Sequence, residues 1–309
     1  MSTPISDPGQ SGGASDSEGR DPLYLRGLAF VLGASLFNSS IGFLIRVVEE
    51  ADGWTLLFYR SIAFVIFMLG FLAFRHGPTN LPARFRAIGY PGILAGVMLG
   101  ISFTGFIFAL LNTTVANVVF IGASSPFLAA FFAYVALRER LSLKTWMAMG
   151  LALVGVAVMV GDGLTGGGIL GIGLALLTIT TFAIALVALR SGRRNDMRPA
   201  TCLAGVFALC AATVMADTLV ISAHDLAVAC TMGVVQLGLQ YAFLTAGTRY
   251  VPAGEVALVG RLQLVLAPLW AWLAVGEVPS DMTFIGGIVI VTALVFHGFN
   301  ALRGTSLRV

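Results

Sequence analysis

Residues 252–281 read PAGEVALVGRLQLVLAPLWAWLAVGEVPSD, a stretch whose centre is apolar enough to lie in a bilayer although it carries an arginine. As a helix, its apolar part at 253–275 would measure about 34 Å, enough to cross a hydrocarbon core of about 30 Å. Arg261 would lie about 12 Å along that helix, close to the middle of the bilayer. A charge at that depth costs about 2.5 to 3.5 kcal/mol, so we expect Arg261 to face a cavity and to be functional. The alternative is that Arg261 forms a structural ion pair or extends its head group to the membrane surface.

Composition places the whole chain among membrane proteins with several spans. Of its 309 residues, 58% are hydrophobic and 11% are charged, and the mean hydropathy is +0.93. An average soluble domain has about 25% charged residues. We therefore predict an all-α integral membrane protein without a sizeable water-soluble domain. Residues 1–22 are polar and rich in Ser, Gly and Asp, and we expect a disordered cytoplasmic tail there.

Ten apolar segments follow one another with short polar joints, which predicts ten transmembrane helices. They cover residues 25–48, 54–74, 88–110, 115–137, 143–161, 168–189, 199–220, 226–247, 253–275 and 282–300. The joints at 112–114 and 162–167 are the weakest separators between segments. Residues 301–309 are expected to form a second cytoplasmic tail.

Basic residues are concentrated on one side of the predicted membrane. If the N-terminus is inside, fifteen of the 18 Lys and Arg residues fall in inside segments. The outside loops then hold only Arg46, and the spans hold Arg60 and Arg261. Because Lys and Arg are retained in the cytoplasm during insertion, we expect both termini inside and the chain in the inner (plasma) membrane. This asymmetry accounts for the pI near 9.0, so no nucleic-acid partner is expected.

The chain also repeats itself after 138 residues. Residues 117–146 align with 255–284, and nine of these 30 positions are identical. The identical residues of the first copy are Val118, Gly122, Leu128, Ala129, Ala133, Ala136, Glu139, Ser142 and Thr145. The shift lays the fourth segment on the ninth, so the unit has five helices and its second copy must be inverted. We predict two inverted five-helix repeats at 23–161 and 162–300, as in many secondary transporters with a site at the repeat interface.

A longer pattern occurs in both halves: a small-residue helix with a proline, an Arg-Glu or Gly-Glu pair, and a following helix. It reads SSPFLAAFFAYVALRERLSLKTW at 124–146 and LAPLWAWLAVGEVPSDMTFIGG at 266–287. This pattern resembles the EamA branch of the drug/metabolite transporter superfamily, over about residues 25–300. The resemblance implies ten helices in two inverted halves and the transport of small molecules, without specifying a substrate. Arg261 departs from the family, in which a neutral or acidic residue would be expected at mid-helix.

Other polar residues at mid-depth should line the same cavity as Arg261, because lipid offers no hydrogen bonds. Each could instead only join neighbouring helices, at about 0.6 kcal/mol apiece. The candidates are Asn38 in the first segment, Ser124 and Ser125 in the fourth, Gln236 and Gln240 in the eighth, and Gln263 in the ninth.

Four further residues have open alternatives. Pro126 and Pro268 are candidate hinges for alternating access, or static kinks. Glu255 is the candidate proton-coupling group, or an acid that complements the helix dipole. Arg60 would lie about 9 Å from the outer end of the second segment, so we expect its head group to extend to the membrane surface.

Several chemistries have no support in the sequence. Lys144 is the only lysine and no GxxxxGK[ST] motif is present, so the chain is not expected to hydrolyse ATP. The three histidines form no set with carboxylates, so we expect neither a metal, a cofactor nor an enzymatic activity.

The leading hypothesis is a secondary transporter of a small polar metabolite, such as an amino acid or another carboxylate, with export as the expected direction. Arg261 would hold the anionic part, because a guanidinium stays charged and offers a planar fork of donors to a carboxylate. The expected partners are the bilayer, the small-molecule substrate, a coupling proton and a second copy in a homodimer. The runner-up is a membrane scaffold or sensor that keeps the fold without flux.

Overall fold

The computed structural model describes residues 22–138, 141–166, 168–192 and 195–305, and these residues form helices and no strand. Most of the predicted N-terminal tail and residues 306–309 of the predicted C-terminal tail lie outside the described residues. Within the described part, nine helices are long and apolar enough to cross a bilayer. A tenth helix contains the shorter apolar stretch Asp281–Phe296. The prediction of an all-α, multi-pass membrane protein is confirmed.

We number the ten helices α1 to α10 in chain order, and four of them consist of more than one segment. The bounds are α1 Pro22–Ser39 with Ile41–Leu44, α2 Gly53–His76, α3 Gly89–Asn112, α4 Val115–Ala123 with Ser125–Leu137, α5 Leu143–Gly166, α6 Ile169–Ser191, α7 Arg198–Met215, α8 Ala223–Thr231 with Met232–Leu239 and Gln240–Gly247, α9 Ala253–Gly260 with Gln263–Val275, and α10 Asp281–Thr305.

Two helices extend beyond the ends expected from hydropathy. Helix α5 continues to Gly166, through most of the predicted joint at 162–167, and α10 continues to Thr305. Hydropathy marks where the chain leaves the hydrocarbon, whereas backbone hydrogen bonding can continue for another turn in the interface. The predicted joint at 112–114 is present and short, because α3 ends at Asn112 and α4 begins at Val115.

Side chains just before three helices fix where those helices begin. The Asp52 carboxylate accepts hydrogen bonds from the backbone N–H groups of Trp54 and Thr55, at 2.7 and 3.0 Å, at the start of α2. The Thr114 and Ser222 hydroxyls do the same for α4 and α8. Such caps satisfy N–H groups that have no partner inside the helix.

The helices pack in pairs that obey the inverted repeat. Helix α3 packs on α6. The equivalent pair in the other repeat, found by a shift of five helices, is α8 and α1, and these two helices also pack on each other. Helix α5 packs on α10, and α2 on α7, each pair joining equivalent helices. Small residues permit close approach, as in other membrane bundles. A Cβ on Gly42 of α1 would lie 2.0 Å from the Ala267 carbonyl oxygen of α9, so only glycine fits there.

The loops divide the bundle into two ends, which we name after an acidic residue in each. The Glu277 end holds the loops that follow odd-numbered helices, and the Glu255 end holds those that follow even-numbered helices. At the Glu255 end Asp196 lies 3.2 Å from His76 Nε2 and 2.6 Å from Arg198 Nη2. Burial raises the pKa of the Asp196 carboxyl, but the hydrogen bonds from Arg198 outweigh it and hold the pKa below its usual value.

Helices α4 and α9 are interrupted at equivalent positions. The second segment of α4 begins at Ser125 and that of α9 begins at Gln263, which are 138 residues apart, the repeat shift seen in the sequence. A glycine lies near the start of each interruption: Gly122 is two residues before Ser124, and Gly260 is directly before Arg261. These two glycines align in the repeat. Glycine is a poor helix former, so it weakens the turn at that point. Both interruptions bring irregular backbone to the middle of the bundle.

Candidate functional site

A cavity of about 270 Å³ lies at the two interruptions, in the interior of the bundle. Helix α4 contributes Gly122, Ala123 and Ser125 to its wall, and α9 contributes Gly260, Arg261 and Gln263. Opposite them the wall is formed by α1, α2, α3, α6 and α8. Irregular backbone at membrane depth is tolerated only where it is buried in protein or lines a cavity, and here it does the latter. The cavity therefore lies at the interface between the two repeats, which is where the inverted repeat predicted a substrate site.

Arg261 lies in the turn between the two segments of α9. Its backbone N–H donates to the Leu258 carbonyl at 3.0 Å, and its own carbonyl accepts from the Leu264 N–H at 2.9 Å. Its side chain lines the cavity and makes neither a hydrogen bond nor an ion pair with the residues that the structure describes. The guanidinium is therefore available to a ligand.

The same arginine also borders a second space, an apolar groove of about 580 Å³ beside α9. Pro268, Leu269 and Trp272 of α9 line this groove together with Phe120 of α4 and Phe284 of α10. Arg261, Pro268 and Trp272 thus share one side of α9. Arg261 stands between the polar cavity and the apolar groove.

Arg60 on α2 is the residue that sequence reasoning placed wrongly. Its side chain does not extend to the membrane surface but lines the cavity, and only 2% of the residue is exposed. Its Nη2 donates to Gln236 Oε1 at 3.5 Å, and its Cζ lies 5.8 Å from the centre of the Phe103 ring. Its Nε has no partner among the described residues. Helix α2 is packed against α7 and α8, which closes the route to the surface that depth alone had suggested.

Three amide side chains form a hydrogen-bonded chain along the cavity, and they come from three different helices. Gln236 Nε2 of α8 donates to Asn38 Oδ1 of α1 at 3.3 Å. Asn38 Nδ2 in turn donates to Gln263 Oε1 of α9. Because Arg60 donates to Gln236, every bond in this series runs in the same direction, from α2 to α9. Such a series strengthens each of its members and fixes the four side chains relative to one another.

The charge in the cavity comes from two guanidinium groups. Among the lining residues that the structure describes, Arg60 and Arg261 are positive and no Asp or Glu is present. Each helix interruption places the carboxyl end of one segment beside the amino end of the next, so the partial charges of the helix dipoles largely cancel there. The described wall of the cavity therefore carries a net charge near two positive units and offers no counter-ion for it. It is suited to an anion.

Four of the residues proposed from the sequence, Asn38, Gln236, Arg261 and Gln263, are brought together in this cavity, and Ser125 lines it as well. Ser124 is not among the lining residues, because its hydroxyl donates to the Ile121 carbonyl at 2.6 Å inside α4. Gln240 is not among them either. The segment Met232–Leu239 is a π-helix, which winds more slowly than an α-helix and changes the angle between Gln236 and Gln240.

The remaining candidates, Glu255, Pro126 and Pro268, lie outside the cavity wall. Glu255 accepts a hydrogen bond from the Tyr24 hydroxyl at 2.5 Å, which joins the starts of α9 and α1 at the Glu255 end. Pro126 lies in the first turn of the second α4 segment, where a proline needs no N–H partner, and Pro268 is inside the second α9 segment. The interruptions at Ser124 and Arg261, rather than the prolines themselves, are the irregular points of these helices.

Sequence reasoning missed a set of contacts that ties the Glu277 end together. Arg46 Nε donates to Glu277 Oε2 at 2.6 Å, and its Nη1 and Nη2 donate to the Leu110 and Thr113 carbonyls. Glu277 also accepts from the Val115 N–H at 2.7 Å. These bonds join the loops after α1, α3 and α9. The available signal was that Arg46 is the one basic residue of those loops.

Ten packed helices in two inverted halves, interrupted around a polar cavity, define the class of small-molecule membrane transporters. The comparison with known families agrees with this class. The EamA-like transporter family matches residues 25–161 and again residues 169–299. The chain belongs to the EamA-like transporter family, and the predicted pair of inverted five-helix repeats is confirmed.

Two curated relatives are the pseudopaline exporters CntI of Pseudomonas aeruginosa strains PAO1 and UCBPP-PA14. Each is 26% identical to this chain over 274 residues, which are 86% of this chain and 94% of the relative. A crystal structure with 16% sequence identity superposes with a TM-score of 0.58, over 88% of this chain and 97% of the other. At that identity the superposition concerns the fold alone.

Proposed function

We propose that this chain is a secondary transporter that exports a small polar metabolite with an anionic group, and that Arg261 holds that group. The observation that carries the proposal is a guanidinium inside the cavity, at the interruption of α9, that pairs with none of the residues the structure describes. A guanidinium is charged at any physiological pH, and its planar fork matches a carboxylate. The site residues proposed with it are Asn38, Ser125, Gln236 and Gln263.

The amides give the site selectivity beyond charge. In the chain from Gln236 through Asn38 to Gln263, Gln263 Nε2 is the terminal donor and has no partner among the residues described. It can therefore donate to a neutral oxygen of the substrate, while the Ser125 hydroxyl at the start of the second α4 segment can donate or accept. An ammonium group has no carboxylate to pair with in the described wall of the cavity. These features favour a carboxylate over a cation.

Alternating access is the proposed mechanism, with the interruptions of α4 and α9 as its flexible points. In the described conformation the Arg46–Glu277 ion pair ties the Glu277 end, while at the Glu255 end Tyr24 contacts Glu255 and Asp196 contacts His76. Release of the Arg46–Glu277 pair would open the cavity at the Glu277 end. Rocking of one repeat against the other around a fixed site is the general mode of inverted-repeat transporters.

Export is the proposed direction, supported by the name of the two pseudopaline exporters. Proton coupling through Glu255 stays a prediction, as does the homodimer. Because Glu255 lies at one end of the bundle and not in the cavity wall, a coupling role would act through its hydrogen bond with Tyr24.

The orientation follows from the basic residues, and it gives a topology prediction. We propose that the Glu255 end is cytoplasmic, in the inner (plasma) membrane, because the sequence segments predicted to lie on that side contain fifteen of the 18 basic residues. A reporter that is active only outside the cytoplasm should be silent when fused after Val309 and active when inserted at 162–167. Activity at the C-terminus would contradict the orientation.

Metabolite profiling of cells with and without the protein tests the function. We expect at least one anionic or zwitterionic metabolite to accumulate in the medium of expressing cells and to fall inside them. Cells that express Arg261→Gln at equal level are the matched control and should resemble cells without the protein. A ligand that binds the purified chain without any change in distribution would favour the scaffold or sensor instead.

A further inference from the structure

We propose that the cavity binds a substrate with two separate anionic groups, of which Arg261 holds one and Arg60 holds the other. This inference rests on the proposed function and specifies its substrate class. It assigns a binding role to Arg60, which lies on α2, far along the chain from Arg261.

The burial of Arg60 is the first argument. With 2% of the residue exposed, its guanidinium is removed from bulk water, and its contacts are one long hydrogen bond to Gln236 and the face of Phe103. Its Nε has no hydrogen-bond partner in the part of the chain that the structure describes. A buried charge without a counter-ion is strongly unfavourable, and proteins retain such groups chiefly at functional sites. The structure supplies no carboxylate for Arg60 among the described cavity residues, so a ligand is the fitting counter-ion.

The charge balance is the second argument. A substrate with one carboxylate would neutralise one of the two guanidiniums and leave the other buried and unpaired. A substrate with two carboxylates neutralises both, so the bound cavity carries no uncompensated charge. The gain from the second group is a charge-assisted hydrogen bond, which is worth about a tenfold or greater change in affinity.

The wall of the cavity that both arginines line gives a third reason. Apolar side chains occupy much of it, among them Phe103, Phe106, Val119 and Leu264. These would contact the carbon skeleton that joins the two anionic groups. The amides of Gln236, Asn38 and Gln263 run from Arg60 towards α9 and hold Arg60 in place relative to the α9 interruption. The site is therefore built for an extended dianion rather than for two unrelated ions.

The test measures binding to the purified full-length protein in lipid nanodiscs by isothermal titration calorimetry. The probes are succinate, glutarate and adipate, each with the half-amide that replaces one carboxylate by a carboxamide, and inorganic phosphate. At least one dicarboxylate should bind about tenfold or more tightly than its half-amide.

Three variants distinguish a specific binding role of Arg60 from an effect of the protein's overall charge. Arg60→Met should reduce the affinity for the dicarboxylate to that of the half-amide and leave half-amide binding, which uses Arg261, nearly unchanged. Arg60→Lys should restore part of the preference, because it restores the charge without the planar fork. Arg75→Met removes an exposed arginine from the same helix and should change nothing.

Four outcomes would overturn the inference: equal binding of dicarboxylate and half-amide, an equal loss of both in Arg60→Met, tighter binding of phosphate than of any dicarboxylate, or no binding in the whole series. Each leaves the proposed function to be decided separately by metabolite profiling. Release of a metabolite with a single carboxylate would uphold transport and refute the dianion.

Discussion

Replacement of Arg261 by glutamine is expected to abolish transport while the protein remains folded in the membrane. Glutamine keeps hydrogen-bonding capacity but removes the positive charge that faces the anionic group, so the substrate's carboxylate would enter the cavity without its counter-ion. Arg261→Lys should retain part of the activity, because it keeps a charge on a flexible stem without the bidentate fork. Arg261→Ala should be as inactive as the glutamine variant.

The measurement is efflux of the substrate from cells at matched expression, with folded protein quantified by size-exclusion chromatography. Arg249→Gln is the matched control, because Arg249 is exposed at the Glu255 end, away from the cavity wall. Equal activity in the three Arg261 variants would make the residue structural. Loss of folded protein in all three would have the same meaning.

Replacement of Asp225 by alanine is expected to cause the largest loss of stability. Asp225 is fully buried, and its carboxylate accepts hydrogen bonds from the N–H groups of Glu49, Glu50 and Ala51 at 2.8 to 2.9 Å. These bonds fasten the loop between α1 and α2 to the start of α8. Removing the acceptor leaves several donors unpaired, so we expect the free energy of unfolding to fall by about 2 to 4 kcal/mol.

Thermal unfolding in detergent checks this expectation. Asp225→Asn should fall between the wild type and the alanine variant, because it keeps one acceptor oxygen but loses the charge. Asp217→Ala, at an exposed position on the same side of the bundle, should leave the melting temperature unchanged. A melting temperature of Asp225→Ala within error of the wild type would show that the loop is held by other contacts.

Hydropathy and the internal repeat together were sufficient to predict the helices and their inverted arrangement. Both signals follow from the bilayer, because a span must be apolar over a fixed length and lipid cannot satisfy the backbone. The prediction that Arg261 lies in a cavity rests on the same property of the bilayer, because a charge at the middle of an apolar helix is costly in contact with lipid. The interruptions were also signalled, by the aligned glycines Gly122 and Gly260, although their effect on the backbone was not predicted.

Predictions from the sequence were wrong where the surroundings of a side chain depend on how the helices pack. Depth suggested that Arg60 could reach the surface, but the neighbouring helices α7 and α8 close that route. Gln240 was expected to line the cavity with Gln236, but the π-helical segment Met232–Leu239 changes the winding of α8 and thus the angle between the two side chains. Asp225 pairs with backbone 174 to 176 residues away, which no local pattern indicates.

Solute flux in liposomes that contain only this protein tests the central claim most directly. With an anionic or zwitterionic metabolite from the profiling experiment placed on one side, we predict flux down its gradient without ATP. The rate should exceed that of empty liposomes and of liposomes with Arg261→Gln. A rate equal to that of empty liposomes across a broad panel of such metabolites, with folded wild-type protein present in both orientations, would contradict the account.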